Sequence, residues 1–156
     1  MREARPIRIL RIIARLNIGG PARQAQLLTE TLNGGAFTSL LVHGRPAPDE
    51  GDWSDRLSAS ASRIRLNRFG RSLHPINDAA TLWQLCRVVA QFRPDIIHTH
   101  TAKAGTLGRL AGRIMNARWR WSHDRHRTAF VHTFHGHVLA GYFPQAMTRL
   151  FLGIER

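Results

Sequence analysis

The sequence has one cysteine, Cys86, in 156 residues. No disulfide can form within the chain, and a single thiol fits a reducing compartment. No stretch approaches the roughly 20 apolar residues of a membrane-spanning helix. The apolar run near the N-terminus is cut by Arg8, Arg11 and Arg15, which spoils the core of a secretory signal. The expected location is the cytoplasm or the inner face of a membrane, held there peripherally. Acids are scarce: ten Asp plus Glu against 23 Lys plus Arg give a formal charge of +13. Four of those acids (Asp49, Glu50, Asp52, Asp55) crowd into 44–60, so the remainder is strongly basic and attracts anions, whether nucleic acid, acidic lipid or phosphorylated small molecules. Two phosphate-binding signatures are absent. Gly20 is followed by Pro21-Ala22-Arg23 rather than the x-G-x-x-G of a dinucleotide fingerprint, and no G-x-x-x-x-G-K-[ST] loop occurs. Ordinary dehydrogenases and P-loop enzymes are thereby disfavoured.

What is present is an alternation of periods. With 43% apolar residues the chain can build one ordinary core. Ile7 to Leu16 is a β-branched run that stops at Asn17-Ile18-Gly19-Gly20, and Pro21 then opens a helical pattern of Ala22, Ala25, Leu28, Thr29 and Leu32. Phe37 to His43 reads as a second strand, 45–60 as a surface loop, and Arg63 to Leu66 as a short third strand. Ile76 to Phe92 is a helix with Leu82, Leu85, Cys86, Val89 and Phe92 inward. Asp95 to His100 is a fourth strand, followed by a helix marked by Leu107, Leu110, Ala111 and Ile114. Thr128 to Phe134 is a fifth strand, and a last helix starts at Pro144 with Met147, Leu150, Phe151 and Ile154 on one side. Strand and helix in alternation predict an α/β fold: a Rossmann-like, doubly wound parallel sheet of about five strands.

In such sheets ligands sit beyond the carboxyl ends of the strands. Here those ends carry Gly19-Gly20, His43-Gly44, His98-Thr99-His100 and His132 to His137, placing six of the nine histidines at one predicted edge. Gly19 and Gly20 let backbone amides approach a phosphate with no Cβ in the way, and the next helix adds positive potential. Lys103, the sole lysine, opens a helix and fits a phosphate or carboxylate. His98 and His100 are two apart and face the same way, which also suits a metal pair, although Lys103 is a poor neighbour for a cation. Ala117-Arg118-Trp119-Arg120-Trp121 interleaves indole and guanidinium. It is expected as a surface excursion at the opposite edge, suited to an anionic membrane.

Three blocks, Arg15 to Gln24, Pro94 to Gly105 and Val131 to His137, resemble in order the N-terminal half of the family 4 retaining glycosyltransferases of GT-B fold. The resemblance implies metal-independent sugar transfer from a nucleotide-sugar donor, with no further cofactor, in a cleft between two Rossmann-like domains. It implies an N-terminal domain that shapes the acceptor side, for an acceptor such as a lipid-linked or cell-envelope glycan. Gly19 and Gly20 would approach the donor phosphate and His135 the donor sugar, while Arg23, His98, His100, Lys103 and His137 would line the acceptor side or bind anions. On this reading residues 1–156 form the acceptor-side domain, with the donor domain absent, and the fragment alone is expected to be inactive. Two other readings stay open: a metal-dependent hydrolase built on His98 and His100, and an anion- or nucleic-acid-binding module resting on the charge. Nucleic acid is not expected as a partner, because aromatics and basic residues interleave only at Trp119 to Trp121.

Overall fold

The computed structural model describes residues 5–135. Its elements are β1 (Ile7–Ile13), α1 (Gly20–Thr31), β2 (Phe37–His43), a 3₁₀ turn over Ser54–Arg56, β3 (Arg63–Arg65), α2 (Pro75–Phe92), β4 (Ile96–His100), α3 (Ala102–Trp121) and β5 (Ala129–Thr133). All strand pairings are parallel and the sheet order is β3-β2-β1-β4-β5. This is the expected doubly wound arrangement, in which the order reverses at β1. The helix expected from Pro144 lies outside the described residues.

Side chains alternate across the sheet and divide the core in two. Ile13 and Leu41 point to one side and pack with Leu16, Ala22, Ala25 and Leu57 beneath α1. Leu10, Ile12, Val42 and Ile97 point to the other side, against Leu85, Val88 and Val89 of α2 and Ala104, Ala111, Met115 and Trp119 of α3. Arg11 shares the α1 side with Ile9 and Ile13. It is 1% exposed, a buried cation in the middle of the central strand.

Two expectations need correction, and the packing of α3 is made definite. The first strand ends at Ile13, not Leu16, because the chain beyond it turns to meet the loop after β2. Of the residues that mark α3, Ala111 is buried and Leu107 packs against the core, while Leu110 and Ile114 are exposed; the rest of the buried side is Ala104, Gly105, Gly108, Gly112, Met115 and Trp119. The small residues let α3 lie close on the sheet, since a Cβ on Gly112 would stand 2.4 Å from Cε1 of Phe130 and one on Gly108 2.7 Å from Cγ2 of Thr99. Finally, residues 117–121 are no excursion but the last turns of α3. Trp119 is buried, edge-on to His126 with centroids 4.6 Å apart and covered by Arg93, while Trp121 stands in solvent.

Candidate functional site at the carboxyl edge of the sheet

The β1–α1 turn is built by breaking the strand with glycine. Gly19 is the residue before α1 and has no capping side chain. No acid lies in the helix's first turn, and Pro21 supplies a fixed φ without needing a partner for an N–H. A Cβ on Gly20 would meet nothing within 4 Å. The open space lies where uncapped amides and the helix dipole favour an anion. Arg23, one turn on, is exposed beside it.

The loop after β2, read from sequence as mere surface, holds this turn in place. Ile18 N–H donates to Gly51 O at 3.0 Å, Trp53 N–H to Leu16 O at 2.8 Å, and Trp53 Nε1–H to Oε1 of Gln26 in α1 at 2.6 Å. Asn17 pairs with Asp52 in an antiparallel bridge, and Arg15 meets Glu50 at 3.2 Å. Of the four acids in this loop, Glu50 thus fastens it to the segment before the turn, while the Asp52 carboxylate binds Arg65 at 3.1 Å; burial pushes that carboxyl up, but the hydrogen bonds from Ser54 and the cation of Arg65 outweigh it and hold it below the usual range.

The histidines separate by parity. Registers pair Arg11 with His98, Ile13 with His100, and His100 with Thr133. His98 and His100 therefore share the α1 side of β4, with ring centroids 4.3 Å apart, and His135 joins them just past β5, its centroid 5.2 Å from that of His100. Nε2 of His98 meets Oγ1 of Thr133 at 2.8 Å, and Nδ1 of His100 meets Nε2 of His135 at 2.9 Å. Burial first, then the positive charge around them, keeps the pair neutral: His98 is pushed down to about 4 and His100 to about 3. Burial also lowers His135. Arg11 is itself pushed down by burial to about 10, so it stays charged at neutral pH; Nη1 donates to Oγ of Ser39 at 3.0 Å and Nε has no partner among the described residues.

His132 takes the opposite side. It pairs in register with Thr99, meets Oγ1 of Thr99 at 2.8 Å, and packs where a Cβ on Gly105 would come within 2.7 Å of its ring. His43 is buried with Nδ1 against Gly44 O at 3.0 Å. Both are structural. Lys103 is tied to α2 and the loop before it, with Nζ 2.6 Å from Oδ1 of Asp78 in the helix's first turn and donating to Ser72 O, so its charge is already matched. Beside it Thr101 carries φ 74, a left-handed conformation that a β-branched residue rarely holds, and its Oγ1 is buried without a partner among the described residues. His137 lies outside the described residues. Of the sequence candidates, then, the fold gathers His98, His100 and His135 at the edge, with Gly19 and Gly20 on the neighbouring strand's turn. Arg11 was missed, because arginine in a strand reads as solvent-facing.

Among the described residues no three His, Cys, Asp or Glu side chains are placed to hold a metal ion. The described helices include none long and apolar enough to cross a membrane.

Over 88 residues the chain is 30% identical to a UDP-Gal:alpha-D-GlcNAc-diphosphoundecaprenol alpha-1,3-galactosyltransferase of Escherichia coli, a stretch covering 56% of this chain and 20% of that enzyme. A crystal structure of a glycosyltransferase from Rickettsia africae matches 95% of this chain and 34% of its own, with TM-score 0.63 and 15% identity. A UDP-N-acetylglucosamine 2-epimerase matches 96% and 40%, with TM-score 0.63 and 16% identity. The chain thus spans well under half the length of each of these proteins. At such identities the structures speak for the fold alone, which a transferase and an epimerase share. The family is decided by the sequence match, which runs over residues 19–156 to the glycosyl transferase 4-like domain. It takes in the glycine turn, both edge strands and the histidines gathered between them, and the chain belongs to that family.

Proposed function

We propose that this chain is the acceptor-side half of a retaining glycosyltransferase, moving a sugar from a nucleotide-sugar donor to a lipid-linked or envelope-glycan acceptor without a metal. The observation that carries the reading is the meeting of His100 and His135, 35 residues apart in sequence, at the edge where the uncapped glycine turn opens. Amides at Gly19 and Gly20 receive a donor phosphate oxygen, and His135 bonds a hydroxyl of the donor sugar. Arg23, His98, Lys103 and His137 serve the acceptor side; for Lys103 that means exchanging Asp78 for the acceptor's anion. The donor class and the lipid carrier agree with those of the Escherichia coli galactosyltransferase, named for UDP-Gal and a diphosphoundecaprenol. Contact with an anionic leaflet is supported by α3, which has five cations and no acid and exposes Leu110, Arg113, Ile114, Arg118 and Trp121 along one face.

Most of the stabilisation of a departing nucleotide diphosphate is assigned to a second domain, so residues 1–156 alone should turn over no nucleotide-sugar. Joined to that domain, His135→Ala should lower turnover about a hundredfold, or about 2.7 kcal/mol of barrier, with the melting temperature unchanged. An active His135→Ala enzyme that melts early would overturn the assignment.

A further inference from the structure

His100 is wholly buried and His135 half-buried, and they share one hydrogen bond, Nδ1 to Nε2 at 2.9 Å. Only one of those two nitrogens can carry the proton. Both rings are neutral at pH 7, and the charged group that acts on His100 from β1 is the cation Arg11 rather than an acid. A neutral imidazole has a single N–H, so the direction of the shared bond fixes the state of all four ring nitrogens. Suppose His135 donates from Nε2. His100 must then hold its proton on Nε2, an atom that is buried and has no partner among the described residues. That strands an N–H in the interior, the rarer and costlier kind of unpaired group. If His100 donates from Nδ1 instead, its Nε2 is left as a bare lone pair and no donor is stranded.

We infer that His100 is a positioning residue that donates its Nδ1–H to Nε2 of His135 and thereby fixes the proton of His135 on Nδ1. The stack supports this role from below. His98 lies against His100, and its own Nε2 is engaged by Thr133, so the middle ring is held on both sides. His135 then offers a donor and only a donor, because its one lone pair is occupied. A ligand atom meeting it must accept, as the oxygen of a hydroxyl or of a phosphate does. The use of that donor in sugar transfer rests on the reading proposed above; the position of the proton does not.

The test uses the 156-residue chain labelled with ¹⁵N-histidine and a long-range ¹H–¹⁵N correlation at pH 7.5, which distinguishes protonated from bare ring nitrogens. His135 should show a protonated Nδ1 and a bare Nε2. In His100→Phe it should shift to the Nε2–H form that a free imidazole favours. In His100→Asn, whose amide N–H can take the place of Nδ1–H, the parent pattern should return. His135 protonated on Nε2 in the parent, or still on Nδ1 in His100→Phe, overturns the inference. The parent spectrum decides the first point even if the Phe variant does not fold. A full enzyme that fails to transfer sugar while His135 shows the expected tautomer would count against the transferase reading alone.

Discussion

Gly44 closes β2, and replacing it by alanine isolates one physical effect. The added Cβ would stand 1.8 Å from Phe69 O and 2.3 Å from Ala14 O. Both are backbone atoms, which cannot swing aside as a side chain can. Phe69 O also accepts from Arg45 N–H at 2.9 Å, and Gly44 N–H donates to Ile13 O at 3.3 Å. Making room for the methyl therefore moves a carbonyl that a neighbouring amide uses. Overpacking costs about 1–3 kcal/mol and a lost hydrogen bond about 1 kcal/mol, which together give about 3 kcal/mol. The loss of chain entropy in the unfolded state returns less than about 1 kcal/mol. With about 2–3 kcal/mol lost on balance, at about 2–4 °C per kcal/mol for a chain of this size, the melting temperature should fall by about 4–12 °C. Two controls share the chemistry and differ only in what the methyl meets. At Gly70 it would lie 3.8 Å from Arg45 O, an ordinary contact, and at Gly51 it would meet the end of the exposed Ile18 side chain. Thermal melts followed by far-ultraviolet circular dichroism should place Gly70→Ala within about 2 °C of the parent, since mild surface changes stay within about 0.5 kcal/mol. Gly51→Ala should fall between the two. A Gly44→Ala chain melting with Gly70→Ala would refute the account, and would mean that β2 does not end wedged between Ala14 and Phe69.

His132→Ala removes the bond to Thr99 and the ring lying over Gly105, and should cost about 2 kcal/mol in urea unfolding; an unchanged midpoint would show that the ring is not part of the packing. Burial holds His98 near 4, His100 near 3 and His132 near 4, against about 6.5 unfolded. The unfolded chain thus binds more protons between about pH 6.5 and 4, so this stability is full above that window and is lost as pH falls through it. Melting temperature against pH should be shallower there for His100→Phe than for the parent, and parallel curves would deny the shift. In sedimentation with vesicles containing anionic lipid, Trp121→Ala and Arg118→Glu should weaken binding at unchanged melting temperature, whereas Trp119→Ala should lower the melting temperature; equal binding by all three would remove α3 from the contact.

Sequence reasoning succeeds here where period and breaker agree. A β-branched run ending in Asn17-Ile18-Gly19-Gly20, and Asp95 to His100 followed by a helix, can hardly be read another way, and the rule that ligands gather at carboxyl ends puts His98, His100 and His135 on one edge. Parity alone would have moved His132 to the other side, since it stands one residue from Thr133, the register partner of His100. The buried side of α3 was hidden because small residues carry no hydrophobic signal: Gly105, Gly108 and Gly112 are inward by virtue of what they lack, while Leu110 and Ile114 advertise a face that solvent covers. Arg11 was hidden for the converse reason, its charge being a poor guide in the centre of a sheet. The fastening of the loop after β2 onto the glycine turn depends on contacts more than thirty residues apart, which no local pattern encodes.

That fastening has a consequence for recombining such domains. Leu16 and Ile18 on one segment and Gly51 and Trp53 on the other are stitched backbone to backbone, with Asn17 opposite Asp52 between them. Ile18 occupies the space that any side chain at position 51 would need. The two segments therefore behave as a single heritable block. A chimera that imports residues 15–20 from one parent and 50–53 from another would bring mismatched halves together at the glycine turn before α1, whereas exchanging both segments together should carry the turn across intact.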